Sequence, residues 1–226
     1  PVIGNEEEQK TGSRIFSKET TVTLSTPETG AAIYYTLDGS EPGITSTLYS
    51  GPVTIAKSCE LKAVSMVKGK VSSNIATFSL SKAKYEITLL SEVSPKYSAQ
   101  GPKTIVDGRN GSGKFADGKW LGFDGNDFEA VIDLGSVKPI TEVAASFLQS
   151  HNSWIFLPLS VEVYTSEDGK NYTPAGVTFG SIPKAYESDQ SSIYSIQVFK
   201  SARYIRIKAK STGICPAWHK GSGGKA

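Results

Sequence analysis

The segment IYYTLDGSEP, Ile33 to Pro42, decides how this chain is read. Ile33, Tyr35 and Leu37 alternate with Tyr34 and Thr36, which places the two sets on opposite faces of an extended strand. The run ends in Asp38-Gly39, where glycine accepts the positive φ of a tight turn. Working outward, TTVTLS (20–25), PVTIA (52–56), ELKAVSMV (60–67) and IATFSL (75–80) are further short alternating runs punctuated by Gly, Pro, Ser and Asn. They predict an all-β module over residues 15–80. Its inward set is Val22, Leu24, Ile33, Tyr35, Leu37, Val53, Ile55, Leu61, Ala63 and Phe78.

Strand signals continue beyond it and helix signals are nearly absent. SKAKYE (81–86) reads as a hinge, and residues 87–226 read as a second module. Its predicted strands are FEAVIDLG (128–135), ITEVAASFLQ (140–149), LSVEVYTS (159–166), SIYSIQVF (192–199) and ARYIRIKAK (202–210). In the last, Ile205, Ile207 and Ala209 should face inward and Tyr204, Arg206, Lys208 and Lys210 outward. Strands at this spacing, with five Asp-Gly steps among the turns, argue for a sandwich or jelly roll.

Composition bounds the function. At 226 residues, 38% hydrophobic and 20% charged, the chain suits a two-domain globular protein. With 24 basic against 22 acidic residues and no Lys/Arg run, nothing favours nucleic acid or an anionic membrane. No stretch approaches the roughly 20 apolar residues of a membrane span. The opening PVIGNEEEQKTGS is polar and acidic, and residues 1–14 read as a linker within a longer polypeptide. Cys59 and Cys215 fall in different modules and read as buried free thiols.

Two resemblances follow. From Ala31 to Phe78, IYYTLDGSEP with GITSTLYSGPVTI, CELKAV and KGKVSSN resembles the small Ig-like β-sandwich towards the C-terminus of bacterial chitobiases and β-hexosaminidases. The second module carries IVDGRNGSGKFADGKWLGF, FEAVIDLGSVKPITEV, VEVYTSEDGKNYTPAG and ARYIRIKAKS in order. It resembles the discoidin, or coagulation factor 5/8 type C, domain, a galactose-binding-like jelly roll, and within it the family 32 carbohydrate-binding modules. SFLQSHNSWIFLP is similar to modules attached to bacteroidete β-hexosaminidases and α-fucosidases. That family closes with a further strand after a loop such as WHKGSGGKA, so a sheet edge is expected to lie exposed here.

The resemblance implies a non-catalytic C-terminal region of a secreted bacterial glycosidase, extracellular, periplasmic or cell-surface associated. It would be monomeric, would not insert into membranes, and would hold the catalytic domain of the same polypeptide on a glycan. The sugar would be galacto- or gluco-configured, N-acetylated forms included. The alternative is a pair of purely structural domains bracing the catalytic barrel of a hexosaminidase or fucosidase.

The residues themselves agree on chemistry. Acidic side chains sit in turns or at strand ends (Asp38, Asp168, Asp189, Asp133), not as the facing pair that glycoside hydrolysis needs. GRNGSGK (108–114) matches a P-loop skeleton, but Phe115 stands where Ser/Thr must meet magnesium. The resemblance instead implies a structural calcium there, with Asp107 matching the family aspartate and Asn110 and Ser112 as further oxygen donors. A simple Asp-initiated turn is the alternative. Both histidines and two of three tryptophans fall in the loops HNSW (151–154) and CPAWHK (215–220). The sugar-binding set is therefore His151, Asn152, Trp154, Tyr186, Trp218, His219 and Lys220, gathered at one open rim. Trp120, in KWLGF, reads as core. A tryptophan flat on a pyranose buries roughly 60–80 Å², worth about 1.5–2 kcal/mol.

Overall fold

The computed structural model describes residues 1–226, the side chain of residue 7 excepted. The chain divides into two units, Pro1–Lys84 and Tyr85–Ala226. The first contains β1 (Val2–Ile3), α1 (Glu6–Thr11), β2 (Ser13–Phe16), β3 (Thr20–Val22), β4 (Leu24–Ser25), β5 (Ala32–Thr36), β6 (Thr47–Leu48), β7 (Val53–Ile55), β8 (Cys59–Val67), β9 (Lys70–Val71) and β10 (Ala76–Lys82). One sheet has the order β2-β10-β8-β5-β6 with β9 also on β8, while β1 pairs β4 and β3 pairs β7 in two ribbons. Ile33, Leu61, Ala63, Phe78 and Leu80 from the sheet meet Ile3, Val22, Leu24 and Ile55 from the ribbons in one buried cluster. This is a small sandwich.

Leu37 is not in that core. β5 stops at Thr36, Asp38 closes a turn by accepting from the Ser40 N–H at 3.0 Å, and Leu37 beyond the strand end is 37% exposed.

The expected linker over residues 1–14 is instead part of the unit. β1 pairs antiparallel with β4 (Ile3↔Leu24) and β2 pairs parallel with β10 (Ser13↔Ser79 to Phe16↔Lys82). Between them α1 is closed by a capping box. Glu8 N–H donates to Asn5 Oδ1 at 3.0 Å and Asn5 N–H donates to Glu8 Oε2 at 2.9 Å. Gly12 ends the helix in the left-handed conformation (φ 62°). The acidic run that suggests a solvated linker is a helix start, and Glu8 also pairs with Arg14. The expected hinge is likewise shorter. Ser81 and Lys82 lie in β10, where Lys82 N–H donates to Ser58 Oγ, and Glu86 begins the next strand.

The second unit contains β11 (Glu86–Leu89), β12 (Phe128–Gln149), β13 (Ser160–Ser166), β14 (Thr173–Phe179) and β15 (Gln190–Lys210), in the order β11-β12-β15-β13-β14. β12 and β15 each merge two runs that the sequence separates. The register of their pairing shifts between Asp133/Lys138 and between Ile140/Glu142, and Gly135 sits at φ 82° beside the first shift. Such bulges let one strand bend and serve both layers of a sandwich. Phe128, Ala130, Ile132, Ile205, Ile207 and Ala209 are buried, as the alternation predicts. On the outer face Glu129 pairs with Arg206 and Lys208, and Asp127 with Lys210, so each of these basic residues has a carboxylate partner. Residues 140–149 pair with β15 on one side; among the described residues no named strand pairs with their other side. Both cysteines are free thiols. No described helix is long and apolar enough to cross a membrane.

Ile3 separates a packed N-terminus from a linker. Ile3→Ala should lower the unfolding free energy of this unit by about 2–4 kcal/mol in urea titration, whereas a linker residue would give no change.

Candidate functional site

At the end of β12 the chain makes a 3-10 turn, His151–Ser153, and ends it with Trp154 in the left-handed region (φ 65°, ψ 27°). Such a conformation costs a bulky residue about 1–2 kcal/mol. The turn is clamped by Ser150 and Ile155, whose N–H and C=O groups exchange hydrogen bonds at 3.0 Å. Across from it the C-terminal loop is knit by its own backbone: Cys215 N–H donates to Gly224 O at 2.8 Å and His219 N–H to Pro216 O at 2.9 Å.

Rings from the two loops and from segment 183–189 meet in one cluster. His151 stacks on Phe156 at 5.1 Å between centroids and meets the edges of Trp218 at 4.9 Å and Tyr186 at 5.8 Å. His219 meets Trp154 at 5.4 Å and Phe156 at 5.3 Å. The two loops are joined by one bond, from His219 Nε2–H to the His151 carbonyl at 2.7 Å. That direction is set because His219 Nδ1 already accepts from Gly221 N–H at 3.0 Å.

His151, Asn152, Trp154, Tyr186, Trp218 and His219 are thus brought together, with Lys220 next to His219 in the chain, but they differ in access. His151 is 0% exposed and His219 6%, which corrects the expectation of imidazoles open to solvent. The reason is backbone chemistry: each ring nitrogen with a partner holds a main-chain group, so the rings serve as cross-links. Burial, first of all, holds the His151 imidazole below its ordinary value near 6.5. Trp218 is half-buried and donates its Nε1–H to Pro183 O. Trp154 (42%), Tyr186 (55%), Asn152 and Lys220 are exposed. Asn152 Nδ2–H donates to Tyr186 Oη at 3.0 Å, so these two act as a pair.

Residues outside the predicted set complete the arrangement. The Trp154 indole packs against Gly221 and Gly224, where a Cβ would come within 2.3 and 2.9 Å of it. The glycines of GSGGKA were the available signal. Phe156, Gln149 and Glu187 carried none. Trp154 also borders a cleft of about 780 Å³ whose lining includes Trp120, Phe123 and Phe147. Trp120 is half-buried, not core: its ring covers Gly111 and its Nε1–H donates to Ser112 O at 3.0 Å.

The loop expected to hold calcium is committed to its own hydrogens. Asp107 Oδ1 accepts from Arg109 N–H at 2.8 Å, and burial pushes its carboxyl up. The Asn110 carbonyl faces the Lys119 ammonium at 3.4 Å, and Ser112 N–H donates to Asp117 Oδ2 at 2.6 Å. Asp107, Asn110 and Ser112 each take part in hydrogen bonds within this loop. Among the described residues no group of three or more His, Cys, Asp or Glu could hold a metal. The carboxylates weighed for catalysis serve local structure. Asp133 pairs with Arg203, and Asp168 caps a turn through Lys170 and Asn171 N–H groups at 2.8 Å.

Comparison with known families places both units. Residues 11–77 match the chitobiase/beta-hexosaminidase C-terminal domain, and residues 86–223 match the F5/8 type C domain. Neither is a catalytic domain. Among solved structures the chain is similar to CpGH89CBM32-4 of Clostridium perfringens in complex with GlcNAc-α-1,4-galactose. Identity is 13% over 62% of this chain and 85% of that one, with TM-score 0.39. CpGH89CBM32-5 of the same organism, in complex with GalNAc-β-1,3-galactose, gives 18% over 57% and 85%, TM-score 0.40. The C-terminal domain of a chitobiase from Bacteroides fragilis gives 20% over 65% and 91%, TM-score 0.38. No curated protein matches the chain.

The support of Trp154 by glycine can be checked directly. Gly221→Ala would place a methyl 2.3 Å from the indole Cη2. The ring should shift, seen as a changed tryptophan emission spectrum, with a stability loss of about 1–3 kcal/mol.

Proposed function

The chain belongs to the F5/8 type C domain family through residues 86–223, and from that premise we propose that its second unit is a non-catalytic glycan-binding module. In this reading the site is the rim formed by Trp154, Tyr186, Asn152 and Lys220, standing on the buried frame of His151, His219, Phe156 and Trp218. The observation that carries it is Trp154. A large aromatic residue is kept in a strained left-handed conformation with its ring propped on two glycines and 42% of it in solvent. The ring is held by Gly221, Gly224 and His219, and its exposed part can serve as a platform for the C–H face of a pyranose. Asn152, Tyr186 and Lys220 supply the directional hydrogen bonds.

The match of residues 11–77 to the chitobiase/beta-hexosaminidase C-terminal domain supports a parent glycosidase of that kind. We infer a secreted bacterial enzyme, with the module raising its effective concentration on galacto- or gluco-configured polymers, N-acetylated ones included. A small rim of this kind yields roughly 4–6 kcal/mol, hence Kd values from millimolar to tens of micromolar.

Titration with GlcNAc, GalNAc, galactose and fucose, followed by tryptophan fluorescence or amide shifts, tests the reading. Trp154→Ala should weaken the bound sugar about 10- to 30-fold, the equivalent of about 1.5–2 kcal/mol of lost apolar contact. Silence across the panel at tens of millimolar, with the protein folded, would leave a structural brace. Calcium at Asp107, Asn110 and Ser112 is a separate proposal, since it requires Lys119 to leave the Asn110 carbonyl. A rise in Tm of more than about 2 °C in millimolar calcium would support it, and an unchanged Tm would remove it.

A further inference from the structure

Segment 181–189 has no regular secondary structure and is exposed along nearly its whole length, half-buried only at Pro183. Burial therefore does little to hold its course. What holds it is a set of side chains reaching up from below. Trp218 Nε1–H bonds Pro183 O, and Asn152 Nδ2–H bonds Tyr186 Oη at 3.0 Å. Gln149, 0% exposed, donates through Nε2 to Glu187 Oε2 at 3.1 Å and to Ser188 O at 3.2 Å. His151 Nδ1 accepts the Glu187 N–H at 3.0 Å. Two fully buried side chains thus converge on one residue of an exposed segment.

The bonding fixes their chemistry. Gln149 turns its amide nitrogen to two acceptors, so its Oε1 is left over. Because His151 Nδ1 accepts, its proton sits on Nε2. Neither Gln149 Oε1 nor His151 Nε2 has a protein partner. A buried donor and a buried acceptor without partners weigh against the arrangement that holds them.

We propose that Gln149 and His151 are positioning residues that hold segment 183–189 as a strap, setting Tyr186 at the rim, and that protonation of His151 releases it. The added proton would enter on Nδ1, turning the acceptor of the Glu187 N–H into a second donor 3.0 Å away. The groups facing this imidazole are Glu187 and Asp189 on the strap, which favour protonation, and His219 on the C-terminal loop, which opposes it. Burial outweighs them and the ring is neutral at neutral pH. A folded-state value below the ordinary one makes the hold complete above about pH 6.5, and lost as the pH falls through the lower folded value.

The strap itself does not depend on glycan binding; only the purpose of placing Tyr186 rests on that reading. Amide hydrogen exchange on the full chain therefore tests it without sugar. The Glu187 amide should lose at least about tenfold in protection factor between about pH 7.5 and 4.5, while β13 and β15 amides keep theirs. Gln149→Leu should lower protection at both pH values and keep the dependence. His151→Asn places a non-titrating oxygen near the Nδ1 position and should keep protection while abolishing the dependence. Equal protection of wild-type Glu187 at both pH values would overturn the proposal. So would a pH dependence that persists in His151→Asn, which would assign it to Glu187, Asp189 or His219. An acid-released strap in a protein that binds no sugar of the panel would leave the strap standing and remove the glycan reading.

Discussion

The ladder between β12 and β15 is the constraint on which the second unit depends. β11 hangs on the first arm of β12, β13 on the second arm of β15, and β14 on β13. Main-chain hydrogen bonds along two strands of 22 and 21 residues therefore set the place of the other strands of this unit. Because side chains alternate, a slip of one residue would turn Ile205, Ile207 and Ala209 to solvent, so the register is strongly determined. The bulges after Asp133 and Ile140 bend the ribbon and carry its second arm to Gln149, where the site begins.

From that end the site is built by bonds between loops. Each imidazole takes a main-chain N–H on Nδ1, and His219 returns its own proton to the carbonyl of His151. Loops so joined bring Trp154, Asn152 and Tyr186 from separate segments around one buried frame. Rigidity at the base and access at the edge are thereby assigned to different residues.

Much of this was legible in the residues. Period-two alternation and Asp-Gly turns led to two β-sandwich units because a half-buried strand has one physical solution for its apolar face. Loop aromatics and imidazoles were gathered into one set, and the structure places them together. The failures have causes of their own. EEEQKT reads as linker because its charge hides the Asn5–Glu8 cap. Trp120 reads as core because a tryptophan covering glycine and one filling a core leave the same letter. Phe156 and Gln149 carry no signal because nothing in their neighbourhood differs from an ordinary strand end.

By itself, then, the chain's alternation determined all-β units, their inward faces, and the segments that carry the rings, since these depend on local periodicity and turn chemistry. Which of those rings are frame and which are surface was decided only in three dimensions. His151 and Trp154 lie three residues apart, yet one is sealed and the other open. The difference arises because Phe156, Tyr186, Trp218 and the Glu187 N–H, apart from it in sequence, pack around the first, while the second rests on Gly221 and Gly224 and keeps 42% of its surface exposed.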